Sequence, residues 1–131
     1  MHFDQRTQSA LREVGLDTED LEEASALVAA AVDDAAAELA AFFDAQDVYY
    51  SDMDMAHAAS DHPDHEISHC DLTTHAAELR GWLRFASWGA FVEDGRVLER
   101  DADGDPVVVE LSLGPSVHER VRFAPTREAL R

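Results

Sequence analysis

Residues 17–44 read DTEDLEEASALVAAAVDDAAAELAAFFD, and the fold turns on how they are read. Asp17 or Thr18 can cap a helix, and Glu19, Asp20, Glu22 and Glu23 place negative charge in the first turns, where the helix dipole favours it. Leu21, Val28, Val32, Ala35, Leu39 and Phe42 recur at helical steps and fall on one stripe. Alanine, the best helix former, fills much of the remainder. The spacing predicts a helix from Glu19 to about Asp44, roughly 39 Å long at about 1.5 Å per residue. A helix with one apolar stripe needs a second layer to cover it.

The flanking sequence supplies that layer. Upstream, Arg6, Leu11, Arg12 and Val14 have helix-compatible spacing and Gly15 is a natural stop, so Asp4 to Val14 is expected as a short helix. Downstream, from Trp82, the period becomes two. Leu83, Phe85 and Phe91 alternate with Arg84, Ala86, Trp88 and Ala90, and Asp94-Gly95 is a tight-turn pair leading into Arg96-Val97-Leu98. Asp101 to Asp105 reads as a loop, Val107 to Leu113 as a third strand, Gly114-Pro115 as a break and Arg120 to Phe123 as a fourth strand. The expected fold is α+β: N-terminal helices, one of them long and Ala-rich, packed on a C-terminal antiparallel β-meander. Within one domain over 1–131, the helical acidic part covers about 1–47, a His-rich connection about 48–80 and the meander about 81–124.

Length and an apolar content of 46% suit one globular domain. No apolar run approaches the roughly 20 residues that cross a membrane, and the start lacks the layout of a signal peptide. The single cysteine, Cys70, excludes an intrachain disulfide and suits a reducing compartment. A cytoplasmic protein is expected.

Charge is the outstanding property of the composition. The chain carries 28 acids against 10 basic residues, every one of them arginine, for a formal charge of −18. Residues 1–79 hold 19 acids and two arginines, whereas residues 80–131 hold nine acids and eight arginines. Repulsion on this scale opposes the compact state in dilute buffer, and multimolar salt screens it. In this the chain resembles the acidic proteins of haloarchaea, small ones without an assigned function included. The resemblance implies a salt-dependent fold. The acidity also disfavours nucleic acid as a partner, because phosphate contacts dominate that affinity.

Five of the seven histidines lie between His57 and His75. The run His65-Glu66-Ile67-Ser68-His69-Cys70-Asp71-Leu72-Thr73-Thr74-His75 resembles the zincin metalloprotease signature H-E-x-x-H, with a third histidine where metzincins place theirs. By that resemblance His65, His69 and His75 would bind zinc, and Glu66 would be the general base for a bound water whose pKa falls to about 7. Leu72 stands where metzincins have glycine, and no methionine follows the run. Ligation requires a helix here. Ile67, Thr73 and Thr74 instead favour a loop running into a strand, in which His65, Ile67 and His69 would share a face and Glu66 would take the other. Asp52, Asp54, Asp61 and Asp64 have a spacing that suits either a cation site or solvated surface acid. Cys70 reads as a small buried hydrophobe, with a nucleophile or ligand as the alternative.

Trp82, Arg84 and Trp88 share strand parity, and Arg120 and Arg122 share a face of the last strand. Such a surface suits an acidic partner, an anionic ligand or a nucleic-acid strand, and equally arginines paired across a sheet. The leading expectation is a non-enzymatic binding or interaction domain whose partner is a protein or a second copy. The alternatives are a zinc-dependent hydrolase using His65, His69 and His75, and anion or nucleic-acid binding on the Trp/Arg face.

Overall fold

The structure, a computed structural model, describes residues 3–54, 62–114 and 119–131. Two helices, α1 (Gln5–Glu13) and α2 (Thr18–Asp44), precede six strands, β1 (Val48–Ser51), β2 (Asp64–His75), β3 (Glu78–Phe85), β4 (Gly89–Arg100), β5 (Pro106–Gly114) and β6 (Glu119–Ala124), and a short 3-10 turn, Glu128–Leu130, ends the chain. Asp4 caps α1 by accepting from the Thr7 N–H at 2.7 Å, and Gly15 takes a φ of 99° just beyond it. At the start of α2, Asp17 accepts from the Asp20 N–H at 2.9 Å while Asp20 accepts from the Asp17 N–H at 3.1 Å. That reciprocal box, and the absence of Gly and Pro from the next 27 residues, explain the length of α2. No helix among the described residues is long and apolar enough to cross a membrane.

The α+β arrangement is as expected, with a larger sheet than the meander alone. All six strands pair antiparallel in chain order, and β1 returns to β6 through Tyr50 opposite Ala124 and Ser51 opposite Phe123. The sheet is therefore a closed barrel, with the short β1 bridging β2 and β6. Among the described residues, the His-rich connection expected over 48–80 is mostly strand: it supplies β1, β2 and the start of β3.

Asp94-Gly95 does not turn the chain. β4 runs straight through it with a bulge between Val92 and Asp94, and the β3–β4 reversal falls at Ala86–Trp88. The reason lies in packing. A Cβ on Gly95 would meet Leu111 Cδ2 at 2.8 Å and Leu39 Cδ1 at 2.9 Å, so the glycine opens the barrel wall to the side chain by which α2 is seated. At the β2–β3 hairpin Ala76 takes a φ of 56°, a conformation that glycine and asparagine adopt more cheaply.

The second half of α2 lies chiefly along β2 and β4. Ala36, Leu39, Phe42 and Phe43 join the barrel interior, where Leu83, Phe85, Val92, Leu111 and Phe123 are buried. Of the stripe read from the sequence, Leu21, Leu39 and Phe42 are buried, and Val28, Val32 and Ala35 half-buried. Tyr49 on β1 locks the helix end: its hydroxyl donates to the Phe42 carbonyl and accepts from the Gln46 N–H. Burial raises the Tyr49 pKa, so the phenol remains the donor this contact needs.

Candidate functional site

The stretch with the sharpest chemical reading is strand β2, and the strand decides what its side chains can do. His65 and Ile67 point into the barrel while Glu66 faces solvent. A bulge between Ile67 and His69 then shifts the alternation, so that Cys70 and Leu72 face inward and His69 and His75 outward. The face that a regular strand would give to His65, Ile67 and His69 together is thus split by one extra residue. H-E-x-x-H ligation needs both histidines one helical turn apart on one face; here His65 is buried and His69 exposed on the outer wall. Among the described residues no group of three or more His, Cys, Asp or Glu is placed to hold a metal ion.

His65 has a different partner. Its Nε2 lies 2.6 Å from Ser51 Oγ on β1, and the Met53 N–H donates to the same oxygen at 3.2 Å. Phe85 and Phe123 meet the imidazole edge-on at 5.2 and 6.2 Å, and Trp88 stacks on Phe85 at 4.2 Å. His65 is 6% exposed and Ser51 has no exposed surface. The spacing is that of a nucleophile and its base, but a reacting carbonyl has to come within about 3 Å of the nucleophile, and Ser51 offers it no surface. The pair is a polar clasp between β1 and β2. Sequence reasoning weighed His65 as a zinc ligand against a strand in which it shares a face with Ile67, and overlooked Ser51.

Burial holds the His65 pKa below the ordinary histidine value, with the charge of Asp64 opposing it weakly. The unfolded chain therefore takes up this proton at a higher pH than the folded one. The contribution is fully present above the unfolded value, near 6.5, and is lost as pH falls through the folded value. Wild-type protein is expected to lose urea resistance between pH 7.5 and 5.5, and His65→Gln, which has no ring to protonate, to lose less. Equal losses in the two proteins would show that His65 does not drive the change.

Cys70 is half-buried against the core, and burial pushes its thiol pKa up to about 12. At neutral pH it is a thiol and packs as a small apolar group, a poor nucleophile and ligand in that form. The acids also disperse. Asp52 Oδ2 accepts from Arg122 Nε at 2.7 Å, and Asp64 lies 3.8 Å from Arg127. Asp54 is exposed, and Asp61 lies outside the described residues.

The Trp/Arg face divides in three. Trp88 belongs to the stack over Phe85 and His65. Arg122 is structural, because besides Asp52 it donates to the Leu130 carbonyl at 3.3 Å, tying β6 to the chain after β1 and to the C-terminal turn. Arg120 stands opposite Ser112 on β5, in a small cleft with Asp94, Arg96 and Glu110. Trp82 and Arg84 remain together on the outer face of β3.

Trp82 there gains a partner that the strand parity did not single out. Phe91, directly opposite on β4, packs edge-on to it with ring centroids 4.9 Å apart and remains 55% exposed. The indole is seated over Gly89, where a Cβ would come within 2.2 Å of Trp82 Cζ2. Arg80 and Arg84 flank Trp82 along β3, and Asp71 faces it across β2. Arg84 makes no ion pair among the described residues.

A family described as being of unknown function, DUF7532, matches residues 1–128. The chain belongs to DUF7532. No curated protein and no solved structure matches it. The DUF7532 match covers α1, α2 and all six strands, so the helix-seated barrel lies wholly within the family's span.

Proposed function

We propose that this DUF7532 chain is a non-enzymatic interaction domain of a salt-rich cytoplasm, and that it pairs with a second copy of itself through the outer face of β3 and β4. The observation that carries the reading is the exposed Trp82–Phe91 pair. With the strands closed into a barrel through β1 and α2 packed along β2, side chains on the wall are the surface assigned to association. An aromatic pair that keeps more than half of one ring in water gains most by being covered.

The surrounding charges suit an isologous contact. Asp71 lies across from Trp82 on β2 and Arg84 two residues along β3, both on the same outer face. A two-fold axis through the aromatic pair would set Arg84 of one copy against Asp71 of the other, which is the self-complementarity such an interface requires. Concentrated salt screens the steering charges and leaves the apolar contact.

Light scattering coupled to size exclusion in multimolar KCl is expected to give a dimer at high chain concentration. Phe91→Arg should give a monomer with an unchanged circular dichroism spectrum. A clean wild-type monomer at millimolar concentration would remove the second copy as partner.

A further inference from the structure

A cleft of about 440 Å³ opens where the end of α2, β1 and the start of β5 meet. Phe42, Tyr49, Pro106 and Pro125 make its apolar wall, and the exposed Ala41 and Ala45 leave its mouth wide. The volume is within the range of small-molecule sites, which are mostly apolar with a few fixed polar groups.

The charged side chains of the lining, Glu38 and Asp105, are both acids. Glu38 is already met by Arg100, which donates to both carboxylate oxygens and lowers the Glu38 pKa through those bonds. Asp105 is different: its backbone is fixed by Asp101, while its carboxylate makes no hydrogen bond or ion pair among the described residues. Gln46 closes one end. Its Nε2 donates to the carbonyls of Val48 at 2.6 Å and Pro125 at 3.3 Å, and this fixes the amide so that Oε1 is left as an acceptor. The last turn of α2 adds the negative end of the helix dipole and contains no basic residue to offset it.

We infer that this cleft binds a small organic cation, an amine carried on an aromatic or branched aliphatic body. The body would cover the wall of Phe42, Tyr49 and the two prolines, and the ammonium would take Asp105 and the Gln46 Oε1 as acceptors. An apolar wall with one unpaired carboxylate rejects an anion of the same shape, because that anion would be desolvated beside like charge. This site shares no residue with the outer face of β3 and β4, so the two readings stand or fall separately.

The test uses phenethylamine, its neutral analogue 2-phenylethanol and the anionic 3-phenylpropionate, each titrated into the whole chain in multimolar KCl and followed by amide chemical shifts. The amine is expected to shift Ala45, Gln46 and Asp105 saturably, the alcohol to bind about tenfold more weakly and the carboxylate to leave them unmoved. Ala41→Trp, which replaces an exposed side chain and fills the mouth, should abolish the shifts while keeping the spectrum dispersed. Asp105→Asn, on an exposed loop, should remove the preference of amine over alcohol. No saturable shift with the amine, equal binding of the carboxylate, or an amine preference that survives Asp105→Asn would each overturn the assignment.

Discussion

Replacing Phe43 by alanine is expected to cost about 3–5 kcal/mol, the usual range for truncating a buried phenylalanine. Phe43 is 3% exposed and its ring meets those of Phe42, Tyr49 and Phe123 at 4.9, 5.2 and 5.3 Å. Those contacts join the end of α2 to β1 and β6, the two strands whose pairing closes the barrel. Removing the ring therefore loosens the helix and the closure at once, and the cavity borders on β-pairing that cannot collapse freely around it. With domains stable by about 5–15 kcal/mol, the loss would be a large share of the total. Urea unfolding in multimolar KCl measures it, with Leu27→Ala as comparison. Leu27 is 72% exposed on the same helix, and its truncation should stay within about 0.5 kcal/mol. A Phe43→Ala cost as small as that of Leu27→Ala would mean that α2 is not seated on the barrel.

The contrast between these two residues shows where sequence reasoning succeeds. Helix α2 declared itself through local chemistry, an Asp cap and a long run free of Gly and Pro, and the strands of the C-terminal half through alternation. Closure of the barrel had no local signal. It joins Tyr50 to Ala124 across most of the chain, and β1 has only four residues in which to show a pattern. The Asp94-Gly95 pair misled for a related reason. Its glycine serves contacts with Leu39 and Leu111, which are distant in sequence, and a turn motif cannot distinguish that use from a reversal.

The candidate sites divide the same way. Trp82 and Arg84 sharing a face follows from strand parity, which is a local property. That Arg122 is spent on Asp52, 70 residues away, is not local. Nor is the contact of Ser51 with His65, and the bulge that sends His69 outward has no marker in the residues around it. The histidine run thus contained a chemically specific pattern and a backbone that could not use it. The residues that share a surface, Trp82 and Phe91, match no motif, and only the pairing of β3 with β4 brings them together.

Lowering salt is expected to destabilise this chain by several kcal/mol, more than any surface substitution. The source is visible along α2. Glu19 and Glu23, Asp20 and Glu23, and Asp34 and Glu38 stand three or four residues apart on one helix, and such like-charged pairs each cost some 0.2–0.5 kcal/mol in dilute buffer. Basic partners are scarce: among the described residues Glu38, held by Arg100, is the one acid of α2 in an ion pair. Longer-range repulsion adds to this, since two charges about 10 Å apart in water interact by roughly 0.4 kcal/mol before screening, and the formal charge is −18. The Debye length is about 10 Å at ~0.1 M salt and about 3 Å at ~1 M, so concentrated KCl removes nearly all of the longer-range part. The urea midpoint should accordingly rise steeply from dilute to multimolar KCl. A general salting effect would raise it as well, and Asp34→Asn, Asp44→Asn, Asp47→Asn, three exposed acids outside the first turns of α2 where the helix dipole favours negative charge, separates the two causes. If repulsion is responsible, the triple variant is more stable than wild type in dilute buffer and gains less from salt, and the two proteins converge at high KCl. A wild-type midpoint unchanged by salt, or a triple variant with the same salt response as wild type, would show that the acidic surface does not set the conditions under which this barrel folds.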